Sequence, residues 1–240
     1  MRLKSFIAAL AAFAAVSSAS AQRPEVLPTS RQEVVVNQPV RNVLLAAPAL
    51  EPENTLNLDL STGGRVVIQL RPDAAPNHVE RIKTLARQGF YNGLIFHRVI
   101  EGFMAQGGDP TGDGTGGSPL PDLAAEFSPL PHVRGVVSAA RAEDKDSANS
   151  QFFIMFSPRL SLDKKYTVFG RVVSGMEYVD LIERGEPPAN PTRIVRASVG
   201  SDNIPPLSSA ELTAPAAPRP PVAASAPAQQ VPTTADVTPQ

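Results

Sequence analysis

Between residues 53 and 200 the apolar period keeps returning to two, and in only two places does it change to that of a helix. Leu56, Leu58 and Leu60 alternate with polar neighbours, as on a half-buried strand. Gly63-Gly64 supplies a turn, and residues 65–70 read as the returning strand of a hairpin. Further strands are expected at 94–100, 103–106, 135–140, 152–156, 167–173 and 194–199. Asn77 and Glu80 have capping-box spacing after Pro76; Val79, Ile82, Leu85 and Ala86 then form one helix face, closed by Gly89. Ser174 and Glu177 repeat that spacing ahead of Val179 and Ile182, with Gly185 as the stop. A doubly wound α/β sheet needs a helix after nearly every strand. This pattern leaves an antiparallel barrel or sandwich.

The two ends differ from this middle. Arg2 and Lys4, the apolar residues 6–16, and Ala19-Ser20-Ala21 ahead of Gln22 have the form of a cleavable secretory signal, residues 1–21. The apolar run is too short to span a bilayer, so export is expected, to the periplasm of a two-membrane bacterium, with no stable membrane insertion. Residues 22–52 carry five prolines and read as an irregular arm. Residues 201–240 are rich in Pro, Ala and Ser and lack any aromatic residue, a composition expected to stay disordered. The domain is thus placed at 53–200. Cleavage would remove two of 22 basic residues, leaving 20 against 23 acidic ones, a net charge of −3. That balance gives no footprint for nucleic acid. With no Cys and three His, neither a disulfide framework nor a zinc site is expected.

Arg98 stands out. If 94–100 is a strand, Phe96, Arg98 and Ile100 share one face, and a charge stands among apolar neighbours. A buried arginine needs a carboxylate partner or faces a site, and strand pattern alone leaves both readings open, the ion pair being the plainer.

The segment FHRVIEGFMAQGGD (96–109) continues into GDGTGG (112–117), Ala125-Glu126-Phe127, SANSQFFI (147–154) and YTVFGRV (166–172). These motifs, in this order over about residues 54–200, resemble the cyclophilin family of prolyl isomerases. The resemblance implies a mainly β fold: an eight-stranded antiparallel closed β-barrel capped by two α-helices. It implies catalysis by Arg98 with Gln106. Phe103, Met104 and Phe153 would form the proline pocket, with Leu162 at its wall and Tyr166 at its rim. Gln106 and Gln151 would line the groove, and Ala140 and Arg141 would offer backbone to the peptide. The expected partners are proline-containing segments of unfolded or partly folded exported proteins, bound by a monomer.

Those residue types suit the chemistry. A peptide bond resists rotation by about 18–20 kcal/mol because the nitrogen lone pair is shared with the carbonyl. In the twisted transition state that lone pair can accept a hydrogen bond, which a permanently charged guanidinium can donate. No nucleophile, general base, metal or cofactor is needed.

Other features read as structural. His97 is expected on the face opposite Arg98 as a packed histidine. Residues 109–117 lack the ending of a P-loop and the acidic spacing of an EF-hand, and read as a turn-rich loop beside the groove. No base is placed to activate Ser147, Ser150 or Ser157, and residues 143–146 read as a solvated loop. Three positions depart from the resemblance: Arg141 where many members have Asn, Ala148-Asn149 where Asn-Gly is common, and Ser161 where cyclosporin-sensitive members have Trp. The competing reading is a non-catalytic proline-peptide chaperone, or a scaffold recruited through the tail.

Overall fold

The hairpin forms as its alternation requires: β1 (Thr55–Leu60) pairs antiparallel with β2 (Gly64–Leu70), Leu60 opposite Gly64. The computed structural model describes residues 49–215; the signal, most of the N-terminal arm and the tail after 215 lie outside the described residues. Helix α1 (Pro76–Arg87) follows, then β3 (Phe96–Ile100), β4 (Met104–Gly107), β5 (Val136–Ala139), β6 (Phe152–Met155), β7 (Val168–Ser174), helix α2 (Met176–Asp180) and β8 (Ile194–Val199). All eight strands join one antiparallel sheet in the order β3-β4-β6-β5-β7-β2-β1-β8.

The sheet is a half-barrel rather than the closed barrel expected. Its edge strands β3 and β8 share no ladder. The seam is the single Ile95–Arg193 bridge with backbone bonds from Phe96 N to Thr192 O (2.9 Å), from Gly93 N to Ile194 O (2.7 Å) and from Ile194 N to Leu94 O (2.8 Å). Beyond that point the free edge of β3 is taken by a loop: Val99 and Gly185 exchange both backbone bonds, at 2.8 and 2.9 Å. Val99 thus has its backbone groups satisfied by the loop rather than by β8.

The main core fills the concave side. Leu56, Leu58, Leu60, Val66, Ile68 and Leu70 of the hairpin meet Val79, Ile82 and Leu85 of α1, with Phe96, Phe152, Phe169, Ile194 and Val199. Burying each such side chain contributes about 1.5–3 kcal/mol.

Three expectations from local pattern change here. β1 is buried along its whole length, not on one face. Asp59 on its polar face accepts from Arg65 Nε (2.7 Å) and Arg196 Nη2 (2.9 Å), so the buried carboxylate is fully paired. The same two arginines donate onward to the carbonyls of Ile204 and Pro205. Residues 204–205 therefore lie across this face, and residues 201–215 are ordered where the composition suggested a disordered tail. A short helix α3 (Ser209–Thr213) starts on a capping box between Ser208 and Glu211, buries Leu212, and is followed by Ala214, whose carbonyl accepts from Arg193.

Neither capping box proposed for the first two helices forms. Pro76 is already helical in α1, whose N-cap Ala75 has no side-chain acceptor. Glu126 caps it from a distant loop, accepting from Asn77 N (3.1 Å), His78 N (3.0 Å) and the Asn77 side-chain amide (2.9 Å). α2 has Gly175 as its N-cap, whose φ of +81° and close approach to Arg65 O admit no side chain.

Candidate active site

A second apolar body lies on the other face of the same strands. Phe103, Met104, Leu130, Val136, Ala140, Phe153, Met155, Leu162, Tyr166 and Val168 form it, separate from the main core. The two-residue period sorts the strands between the two bodies: on β6, Phe152 and Ile154 face the main core while Phe153 and Met155 face the second cluster. On β4, Ala105 and Met104 divide likewise. Six residues named from sequence (Phe103, Met104, Ala140, Phe153, Leu162 and Tyr166) meet here.

Phe153 is fixed from two sides. Tyr166 meets it edge-on, with ring centroids 5.7 Å apart at 82°. His132 stacks on it at 6.2 Å and 16°. His132 is itself tied at both nitrogens, Nδ1 to Asp163 Oδ1 (2.9 Å) and Nε2 to Ser138 Oγ (2.9 Å). Burial pushes its pKa below the ordinary 6.5 although Asp163 pulls upward. The neutral ring then donates from Nδ1 to Asp163 and accepts at Nε2 from the Ser138 hydroxyl. Sequence reasoning missed this trio, because nothing local marks a histidine whose partners lie 31 residues downstream and six residues downstream.

Arg98 reaches the site through an irregularity. Phe96 opposes Gly107 and Arg98 opposes Gln106, so the β3–β4 register slips at His97. Phe96 and Val99 therefore enter the main core, while Ile100 packs on the second cluster. The shared face expected for Phe96 and Arg98 does not exist, and the bulge is the reason. Arg98 is 6% exposed, and its Nε donates to Glu186 Oε2 at 2.7 Å. Both readings left open by the sequence thus hold together: the arginine has a carboxylate and adjoins the cluster. His97 is buried as expected, but neither ring nitrogen has a hydrogen-bond partner within the protein.

The polar side of the groove is a connected line. Gln106, opposite Phe153 in the ladder, donates from Nε2 to Gln151 Oε1 (2.9 Å); Gln151 donates to the carbonyls of Gly114 (3.1 Å) and Gly116 (2.8 Å). The glycine-rich loop therefore braces the glutamines, and Asp109 holds that loop by accepting from Thr111 N and Asp113 N. Ala140 has already given its amide to Gln151 O (3.0 Å). The guanidinium of Arg141 sits 4.6 Å over the Tyr166 ring and donates to the carbonyls of Ala142 and Lys165. Leu162 closes a 3₁₀ turn, Leu160–Leu162, whose Ser161 hydroxyl is buried without a partner.

The chemistry available is a buried guanidinium and two linked amides beside an apolar cluster. Among the described residues no cluster of three His, Cys, Asp or Glu could hold a metal ion.

The family model described as cyclophilin type peptidyl-prolyl cis-trans isomerase/CLD matches residues 56–199. A probable peptidyl-prolyl cis-trans isomerase of Brucella suis is 50% identical over 172 residues, covering 65% of this chain and 87% of that protein. Peptidyl-prolyl cis-trans isomerase B of Bacillus subtilis is 44% identical over 128 residues, covering 53% of this chain and 89% of that protein. Among solved structures, cyclophilin AquaCyp293 from Hirschia baltica superposes with a TM-score of 0.60 at 31% identity, over 65% of this chain and 77% of that one. A Cryptosporidium parvum cyclophilin type isomerase, crystallised in the presence of the dipeptide Ala-Pro, gives 0.57 at 28%, over 60% and 98% of the two chains.

Proposed function

Because this chain belongs to the cyclophilin family of peptidyl-prolyl cis–trans isomerases, we propose that it turns X-Pro bonds of exported polypeptides by stabilising the twisted amide with Arg98. The observation that carries this reading is the burial of Arg98 opposite Gln106, at the border of the cluster holding Phe103, Met104 and Phe153. The substrate proline enters the apolar cluster, as an Ala-Pro dipeptide would, and its ring is held while the preceding carbonyl swings. The bond from Nε to Glu186 fixes the plane of the guanidinium. Its charge meets the prolyl nitrogen only once that nitrogen has become pyramidal. Such a bond lowers the barrier because it strengthens between ground and transition state. Gln106 and Gln151 hold the peptide backbone, and no covalent intermediate forms.

The reading includes export: the signal at 1–21 delivers the chain to the periplasm, where it works as a monomer on segments still folding. N-terminal sequencing of the mature protein should give Gln22. Recovery of Met1 on most molecules would refute export.

The test of the chemistry is an isomerisation assay on a short X-Pro peptide. A charged hydrogen bond of about 1.5–3 kcal/mol corresponds to a loss of about tenfold or more in kcat/KM for Arg98→Ala. Arg98→Lys should also be poor, since an ammonium does not reproduce the planar fork. Full activity in Arg98→Ala with the fold intact would rule the mechanism out.

A further inference from the structure

His97, Arg98, Gly112, Asp113, Glu186 and Pro187 line an open recess of about 310 Å³, none of them a member of the second apolar cluster. That volume is at the lower end for small-molecule pockets and suits one long side chain. We infer that this recess is a subsite for a cationic side chain, lysine or arginine, carried by the substrate next to its proline. The inference rests on the isomerase reading, since it concerns the residues flanking the bond that Arg98 acts on.

Charge carries the argument. Asp113 and Glu186 line the recess, and Asp109 holds the loop that carries Asp113 by accepting from its backbone amide. Against the two carboxylates that line the recess stands one lining cation, Arg98, already bonded to Glu186. Every bond that the structure gives the Asp113 carboxylate goes to Oδ1, from Thr111 Oγ1 (2.7 Å), Thr115 N (2.9 Å) and Thr115 Oγ1 (2.6 Å). Those donors from Thr115 and Thr111 hold its pKa down at about 2, so it stays ionised at any working pH. His97 adds no opposing charge: burial pushes its pKa below 6.5, outweighing the pull of Asp109, and Arg98 lowers it further.

The recess is also built rather than incidental. Glu186 is 48% exposed at its side chain, yet its backbone position is set by the paired bonds between Gly185 and Val99. Gly185 has φ +148° and backbone of Pro188 where a side chain would stand, so this turn is held in one shape. On the other wall, four hydrogen bonds inside residues 109–115 fix Asp113. The imidazole of His97, which also lines the recess, is buried with no partner for either nitrogen, a polar group the protein itself leaves unsatisfied there.

The test is a set of short peptides of otherwise identical sequence with Lys, Leu or Glu immediately before or immediately after proline. Their kcat/KM values are measured at low ionic strength and in 0.5 M-range salt, roughly a Debye length of a few Å. At low salt the Lys peptide should exceed the Leu peptide by about three- to tenfold at one of the two positions, with Glu below Leu, and salt should compress the series. Asp113→Asn and Glu186→Gln should each shrink the Lys-to-Leu ratio, and together bring it close to one. The readout is the ratio, because Glu186 also touches Arg98. Equal turnover of Lys, Leu and Glu peptides by an active wild type overturns the subsite and leaves the isomerase standing, as does a ratio unchanged in the double variant. Absence of turnover on every peptide overturns both.

Discussion

Phe153 lies against the ring of His132, 16° from parallel, and His132 is anchored at its far edge by Asp163 and Ser138. One wall of the second apolar cluster is thus backed by a polar group tied to its own partners. Its position is one that packing must maintain.

His132→Ala should therefore act on binding more than on chemistry. It opens a void behind Phe153 and leaves the buried Ser138 hydroxyl and Asp163 short of a partner. Together these cost about 2–4 kcal/mol of stability. In the fraction that stays folded, KM for a short X-Pro peptide should rise several-fold while kcat changes less. A fall in kcat at constant KM would show that His132 acts otherwise.

The pH dependence of stability follows from all three histidines. His78, His97 and His132 are each buried, and burial lowers each pKa from 6.5. The unfolded chain then takes up protons first as pH falls, so stability present above pH 6.5 is lost below it. The limiting slope is about 4 kcal/mol per pH unit for three protons. Thermal melts from pH 8 to 5 should show Tm level above about 7 and falling below 6.5. A Tm that rises on acidification through that range would contradict the buried neutral rings.

Glu126 should matter as a helix cap although it is 48 residues from His78. Glu126→Ala removes the acceptor for two backbone amides of α1 and should cost about 1–2 kcal/mol. Glu126→Gln keeps one acceptor oxygen and should cost less. Denaturant midpoints for the three proteins check the order.

These cases show where the sequence was readable. Alternation placed all eight strands and the apolar face of α1, because period two and period 3.6 are local properties. Residues 96–109 and 147–154 announced the family through their motif. What local pattern did not carry was contact between distant segments. Asn77 and Glu80 looked like a cap, yet the acceptor came from Glu126. The slip at His97 turned Phe96 away from Arg98, and no composition rule signals a one-residue bulge. The polar face of β1 looked solvated because its cover, residues 204–205, reads as tail.

That cover yields a further expectation. A chain ending at residue 203 loses the carbonyl partners of Arg65 and Arg196 and the burial of Leu212, worth about 1.5–3 kcal/mol for the leucine alone. Its Tm should fall by several degrees. A chain ending at 215 should melt like the full protein and turn over a short peptide at the same rate. Equal Tm in all three would mean that the strap contributes nothing.

Ser161 bears on inhibition. Cyclosporin-sensitive members of the family carry Trp at the matching place, and a serine gives up that apolar area and the indole N–H. Loss of one such anchor costs about 2 kcal/mol or more, roughly thirtyfold in affinity. Peptide turnover should be weakly inhibited by cyclosporin, and Ser161→Trp should bind it more tightly. Nanomolar inhibition of the unmodified protein would overturn this.

The interleaving of the two apolar bodies along β4, β5 and β6 has a consequence for how such an enzyme can change. Neighbouring positions in one strand answer to different demands: Ile154 and Val137 to the filling of the half-barrel, Phe153 and Val136 to the second cluster, where the proposed function seats the proline. Substrate preference can therefore drift at every second residue while the intervening ones stay fixed. The same arrangement makes a frame error unforgiving. Sliding β6 by one residue against β4 would exchange Phe152 for Phe153, turning the filling outward and the binding surface inward in a single step. Pocket and scaffold share one strand alignment, and whatever guards that alignment guards both.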